Sequence, residues 1–159
     1  MTEYRVRVAD YKVAAGEAVI ATIGLGSCVA IVLHDPKARV GGLAHILLPA
    51  ESLSRDTANP AKFPASAVPL LLEEMRKVGS RGPVFAKVVG GASMFGTLLP
   101  DNGVNIGERN VAASFQALAA AGIPTMAQDT GGDHGRSVYF YVADGRVVVR
   151  SIRKGDLVL

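Results

Sequence analysis

A single cysteine, Cys28, follows directly on the turn Gly24-Leu25-Gly26-Ser27, and a histidine, His45, lies further along the chain. An ordinary thiol, with a pKa of about 8.5, is only a few per cent thiolate at neutral pH. A nearby imidazolium favours the thiolate, and the same ring then gives a proton to a departing nitrogen or takes one from water. Thr22, ahead of the turn, carries a hydroxyl that can accept from the second ring nitrogen of His45 and so fix the ring's orientation. Glycine permits a sharp turn and a close approach to backbone N–H groups. Gly26 and Ser27 therefore mark where an oxyanion would be received, with the N–H groups of Ser27 and Cys28 as candidate donors. The chemistry these types can do is nucleophilic attack on a carbonyl carbon. Their types alone leave open an amide, a peptide, an ester or a carboxymethyl group. Taken singly, Cys28 also fits a small core residue and Thr22 a β-branched strand residue.

The elements must bring the three together. Residues 28–33 (CVAIVL) read as a buried strand, Asp35-Pro36 as a turn signal, and Gly42 to Leu48 as a second strand stopped by Pro49. A β-turn over Asp35-Pro36-Lys37-Ala38 pairs Asp35 with Ala38 and, in the same register, sets Cys28 directly opposite His45 on one face. Residues 4–14 alternate as strand, and 17–23 form a short apolar run leading into the glycine turn. Residues 51–65 read as loop. Residues 66–78 read as a helix with Val68, Leu71, Leu72, Met75 and Val78 on one side. A strand over 84–89 is followed by Gly-Gly. A helix over 107–121 carries Val111, Phe115 and Leu118 and stops at Gly122. Three closing strands, 124–128, 137–142 and 146–152, complete the reading. The order predicts an α/β fold, a mixed sheet with packed helices, in one domain spanning 1–159.

The 159 residues are 49% apolar and 19% charged, which suits a packed core and argues against disorder. The N-terminus alternates charged and apolar residues and has no apolar h-region, and no stretch reads as a membrane span, so a cytoplasmic location without membrane insertion is expected. One cysteine excludes an internal disulfide and fits a reducing compartment. The net charge of +3 is scattered and not interleaved with aromatics, which argues against nucleic acid and leaves an acidic protein surface as a possible partner. His34 beside the turn reads as exposed and His134 as a loop residue. The spacing of Cys28, His34, His45 and His134 matches no zinc pattern, so no metal is expected. VVGGASMFG lacks the strand-to-helix context of a phosphate loop, because Pro-Asp-Asn-Gly intervenes.

Five blocks in order resemble the CheD family of chemoreceptor glutamine deamidases. They are TIGLGSC at 22–28, GGLAHILLP at 41–49, KVVGGASMF at 87–95, NIGERN at 105–110, and DTGG with GR following at 129–136. The resemblance spans nearly the whole chain, and the Thr–Cys–His spacing is its specific part. It implies conversion of particular receptor glutamines to glutamate, with Cys28 as nucleophile, His45 as acid/base, Thr22 as the orienting residue and no cofactor. It also implies two protein partners: chemoreceptor cytoplasmic domains as substrate, and the chemotaxis phosphatase CheC, which the family binds and stimulates. The fold it implies is an α/β sandwich resembling other thiol deamidases, including bacterial toxins. Because it is glycine-rich and lies between elements, the Gly90–Arg109 segment is a candidate contact for the phosphatase.

Overall fold

A computed structural model describes residues 1–93 and 105–159. Among them are ten strands and two α-helices. The first half of the chain supplies β1 (Thr2–Arg5), β2 (Tyr11–Ala15), β3 (Ala18–Leu25), β4 (Val29–Asp35), β5 (Val40–Ile46) and α1 (Pro64–Lys77). The second half supplies β6 (Phe85–Gly90), α2 (Ile106–Ala120), β7 (Thr125–Thr130), β8 (Arg136–Tyr141), β9 (Val147–Ser151) and β10 (Gly155–Val158). No helix among the described residues is long and apolar enough to cross a membrane.

The expected mixed sheet with packed helices is present, and it is doubled. One sheet has the order β1-β3-β8-β9-β10 and the other β2-β5-β4-β6-β7. Each is mixed: β1 runs parallel to β3 and β6 parallel to β7, while their other neighbours are antiparallel. Alternation along the strands sorts side chains into two layers. Ala30, Val32, Leu43 and Val89 of the second sheet meet Ile20, Val138, Phe140 and Val149 of the first. On the opposite face Val29, Ile31, Leu33, Ala44, Ile46 and Val88 pack under α1 and α2, against Ala67, Val68, Leu71, Met75 and Leu118. The second sheet is thus buried on both sides, which explains why β4 is an unbroken apolar run in the sequence.

Three expectations need correction. Residues 4–14 are not one strand. The chain bends at residues 6–10, so β1 joins the first sheet and β2 the second. The chain ends in four strands rather than three, because β10 pairs with β9 although all its residues are exposed and carry no alternation to read. The Asp35–Ala38 pairing does not form. Asp35 pairs with Val40 across a four-residue loop, and every β4–β5 pair shifts accordingly, so that Ala30 rather than Cys28 faces His45. The reason lies in the Asp35 carboxylate, which accepts from Ala38 N at 3.0 Å, Ser80 Oγ at 2.7 Å, and the N–H groups of Arg81 and Gly82 at 3.1 Å each. It organises a wider loop than a two-residue type I turn, whose twist suits hairpins poorly. Because the shift is by two positions, each side chain keeps its face. Cys28 therefore still lies on the His45 side, just beyond the end of the ladder and diagonal to the ring.

Candidate active site

Thr22 lies on the inner face of the first sheet and His45 on the inner face of the second, 0% and 1% exposed. Thr22 Oγ1 and His45 Nδ1 stand 2.7 Å apart, and Thr22 Oγ1 is also 2.7 Å from Val6 O. A carbonyl can only accept, so the single hydroxyl proton goes to Val6 O and Oγ1 receives the proton of His45 Nδ1. The ring is thereby held with its proton on Nδ1 and a lone pair on Nε2. Nε2 is buried and has no hydrogen-bond partner among the described residues.

The bend that divides β1 from β2 serves this site. It supplies Val6 O to Thr22, and it grips the His45 backbone through Ala9 N to His45 O at 2.9 Å and His45 N to Asp10 O at 3.0 Å. A strand-like pattern in the sequence concealed this role.

Cys28 is the half-buried member of the group. Its carbonyl accepts from Gly91 N at 2.8 Å, and the Gly26 carbonyl accepts from Ala92 N at 2.9 Å. Gly90 allows this close approach: its φ is +110°, and a Cβ there would stand 2.5 Å from Cys28 O. The N–H groups of Ser27 and Cys28 donate to nothing among the described residues. Ser27 lies in the turn ahead of β4, and Gly26 contributes its carbonyl to the turn's anchorage.

Burial raises the pKa of the Cys28 thiol above its ordinary value and lowers that of His45 to about 4. Burial thus favours the thiol and the neutral imidazole over the thiolate–imidazolium pair that the residue types suggested. In that state Nε2 acts as a base, and the thiol must be deprotonated during attack.

The other histidines lie elsewhere. His34 is half-buried rather than exposed. Its Nε2 donates to Val142 O at 2.8 Å, and its ring meets Phe140 edge-on. His134 is in the β7–β8 loop, as expected, in the wall of a cavity of about 470 Å³ that also includes Ile23, Gly24 and Arg136. The Pro-Asp-Asn-Gly loop at 100–103 lies outside the described residues, as do Met94 and Phe95 of the KVVGGASMF block.

A family model described as CheD chemotactic sensory transduction matches residues 47–151, more than half of the chain. The chain belongs to the CheD family. A relative from Caldanaerobacter subterraneus named as a probable chemoreceptor glutamine deamidase CheD is 46% identical over 152 residues, covering 95% of this chain and 94% of its own length. One from Geobacter metallireducens, named likewise, is 47% identical over 94% of this chain and 93% of its own. An archaeal one from Archaeoglobus fulgidus is 44% identical over 98% of both. These relatives span Thr22, Cys28 and His45, which the family-model match alone does not reach.

One residue of this CheD-family chain escaped the sequence reading. The most buried stripe of α2 is Gly107, Asn110, Ser114 and Leu118, and not the apolar set Val111, Phe115 and Leu118 alone. Asn110 is 0% exposed, and its Nδ2 donates to Ser27 O at 2.9 Å and to Leu47 O at 3.1 Å. The available signal was a poor helix former within the helix.

Proposed function

We propose that this protein, acting as a single domain in the cytoplasm, hydrolyses the side-chain amide of particular glutamines on chemoreceptor cytoplasmic domains. The observation that carries the residue assignment is the Val6–Thr22–His45 relay, which leaves a basic Nε2 on the face that Cys28 also occupies. The names of relatives 40–47% identical over nearly the whole chain support the substrate class.

In the proposed reaction His45 Nε2 takes the thiol proton as Cys28 Sγ bonds to the carboxamide carbon, giving a tetrahedral oxyanion. The carbon–nitrogen bond then breaks. The imidazolium gives its proton to the departing nitrogen, which leaves as ammonia, and a γ-glutamyl thioester remains on Cys28. Water adds to the thioester carbon while Nε2 takes one of its protons. Collapse releases glutamate and returns the proton to sulfur. Nδ1 keeps its proton throughout, so Thr22 holds the ring in one orientation in both protonation states. No step calls for a cofactor.

The test is peptide mass spectrometry of a chemoreceptor cytoplasmic fragment after incubation with wild-type protein and with Cys28→Ala. A gain of about 1 Da at particular glutamines, seen only with wild type, supports the reading, since amide has become acid through the thiol. Conversion by neither protein, or by both alike, removes it. The family resemblance adds a CheC-type phosphatase as a second partner. Binding of that phosphatase by both wild type and Cys28→Ala would show that the interaction does not depend on the chemistry.

A further inference from the structure

The carboxamide of Asn110 joins two segments that the sequence keeps far apart. Ser27 O belongs to the turn that ends in Cys28, and Leu47 O lies two residues beyond His45. Both accept from the same Nδ2, whose two protons are thereby used. The carboxamide orientation follows from these partners, since a flipped amide would set Oδ1 against two carbonyl oxygens. Oδ1 itself is buried without a partner among the described residues. A buried orphan acceptor is costly, but an apolar side chain at 110 would leave both the Ser27 and Leu47 carbonyls without this donor.

Ser27 O and the Cys28 N–H belong to one planar peptide unit. The chain has no cis peptides among the described residues, so the two groups point in opposite directions. Whatever holds Ser27 O therefore aims the Cys28 N–H. The preceding unit is held in the same way, because Gly26 O accepts from Ala92 N and this aims the Ser27 N–H. The helix bearing Asn110 is seated closely enough to do this. Gly107, one turn earlier, packs against the carbonyls of Gly91 and Ala92, where a Cβ would collide with both oxygens.

We propose that Asn110 is a positioning residue for the reaction. By gripping Ser27 O it fixes the Ser27–Cys28 peptide so that the Cys28 N–H is presented, with that of Ser27, to the oxyanion of the tetrahedral intermediate, and its second bond, to Leu47 O, seats the carboxamide for that grip. This rests on the deamidase reading above. Preorganised donors of this kind act only where charge develops, so their loss appears in kcat rather than in the reactivity of the thiol.

The experiment compares wild type, Asn110→Ala and the isosteric Asn110→Asp by three readouts. The first is kcat and KM on a chemoreceptor fragment. The second is the rate of Cys28 alkylation by iodoacetamide across pH, a displacement that forms no oxyanion. The third is the amide nitrogen–proton spectrum of each folded variant. The expected result is a fall in kcat of about 100-fold with KM within about threefold, an unchanged alkylation profile, and displaced Cys28 and Ser27 amide resonances. A kcat within about threefold of wild type, or an alkylation rate that falls in step with kcat, overturns the proposal while leaving the deamidase reading intact. Unmoved Cys28 and Ser27 amide resonances overturn it whatever the activity. Failure of wild type itself to convert any glutamine counts against the deamidase reading, and the spectra still decide whether Asn110 sets the peptide.

Discussion

Thr22 Oγ1 and His45 Nδ1 meet at 2.7 Å across the space between two sheets, and the Thr22 proton is committed to Val6 O. The bond therefore has one direction, from ring to hydroxyl, and it selects the tautomer that leaves Nε2 basic.

Thr22→Val removes that acceptor and leaves a buried Nδ1–H unpaired. The ring then loses its fixed tautomer, and kcat on a receptor fragment is expected to fall by about 100-fold or more. Thr22→Ser keeps the oxygen and is expected to stay within about tenfold of wild type. The Val variant should also lose about 1–3 kcal/mol of stability in denaturant unfolding, from the unsatisfied ring N–H. Equal activity of the Val and Ser variants would contradict the relay.

The pH dependence follows from burial. His45 is lowered to about 4, so its neutral, basic form persists well below the range in which an ordinary imidazole protonates. The acid limb of kcat/KM, which reports the free enzyme, is expected near pH 4 rather than near 6.5. The same shift has a stability consequence. The unfolded chain takes up a proton at His45 below about pH 6.5 that the native state refuses until about pH 4. Stability therefore falls between those values, and it falls less in His45→Gln. The raised Cys28 thiol should alkylate slowly at neutral pH and faster as pH rises above the ordinary thiol range.

Asp35 behaves in the opposite sense. Burial alone would raise its pKa, but hydrogen bonds from Ala38 N, Ser80 Oγ, Gly82 N and Arg81 N outweigh burial and hold it at about 2. A depressed carboxyl stabilises the fold at pH values above its unfolded pKa of about 3.9, and that contribution is lost as pH falls from there through about 2. Asp35→Ala leaves several of these donors unpaired and is expected to cost about 1–3 kcal/mol at pH 7. Because the same carboxylate sets the β4–β5 loop, the variant tests whether the register that places Cys28 diagonal to His45 depends on it. A urea titration gives the first quantity, and amide spectra of residues 28–30 give the second.

Gly90→Ala is expected to damage the site through the backbone. At φ +110° an alanine is strained, and its Cβ would stand 2.5 Å from Cys28 O. The Gly91 N to Cys28 O bond should break and the cysteine turn should move. Activity is expected to fall by about tenfold or more, with Cys28 alkylation altered as well, which separates this variant from those at Asn110.

The positions proposed to bear chemistry were legible because their types are rare and their spacing specific. Cys28 is the only thiol, and Thr22 and His45 fell on strands whose faces alternation predicts. The face of Cys28 came out right even though the pairing was wrong by two, since a two-residue slip keeps parity. What stayed hidden depends on contacts between segments distant in sequence. The Asp35 carboxylate reaches Ser80, Arg81 and Gly82, and no local turn rule contains those partners. Val6 contributes a carbonyl, which any residue type could supply. Asn110 is polar on a helix face where periodicity looks for apolar residues, and β10 has no buried face at all. The effect of burial on the site was also not legible, because residue types suggest an ion pair whereas burial favours the neutral form of each group.

In the proposed reaction the Cys28 sulfur forms a covalent bond to the carboxamide carbon of a receptor glutamine. The most direct test is acid-quenched intact mass spectrometry of this protein mixed with a chemoreceptor fragment, with the adduct then mapped by peptide sequencing. The expected result is a transient species whose mass is that of protein plus fragment less about 17 Da, the ammonia already lost, with the bond at Cys28. It should be absent in Cys28→Ala and should decay as glutamate appears. Conversion of glutamine at full rate without any adduct on Cys28, or conversion by Cys28→Ala, would contradict it.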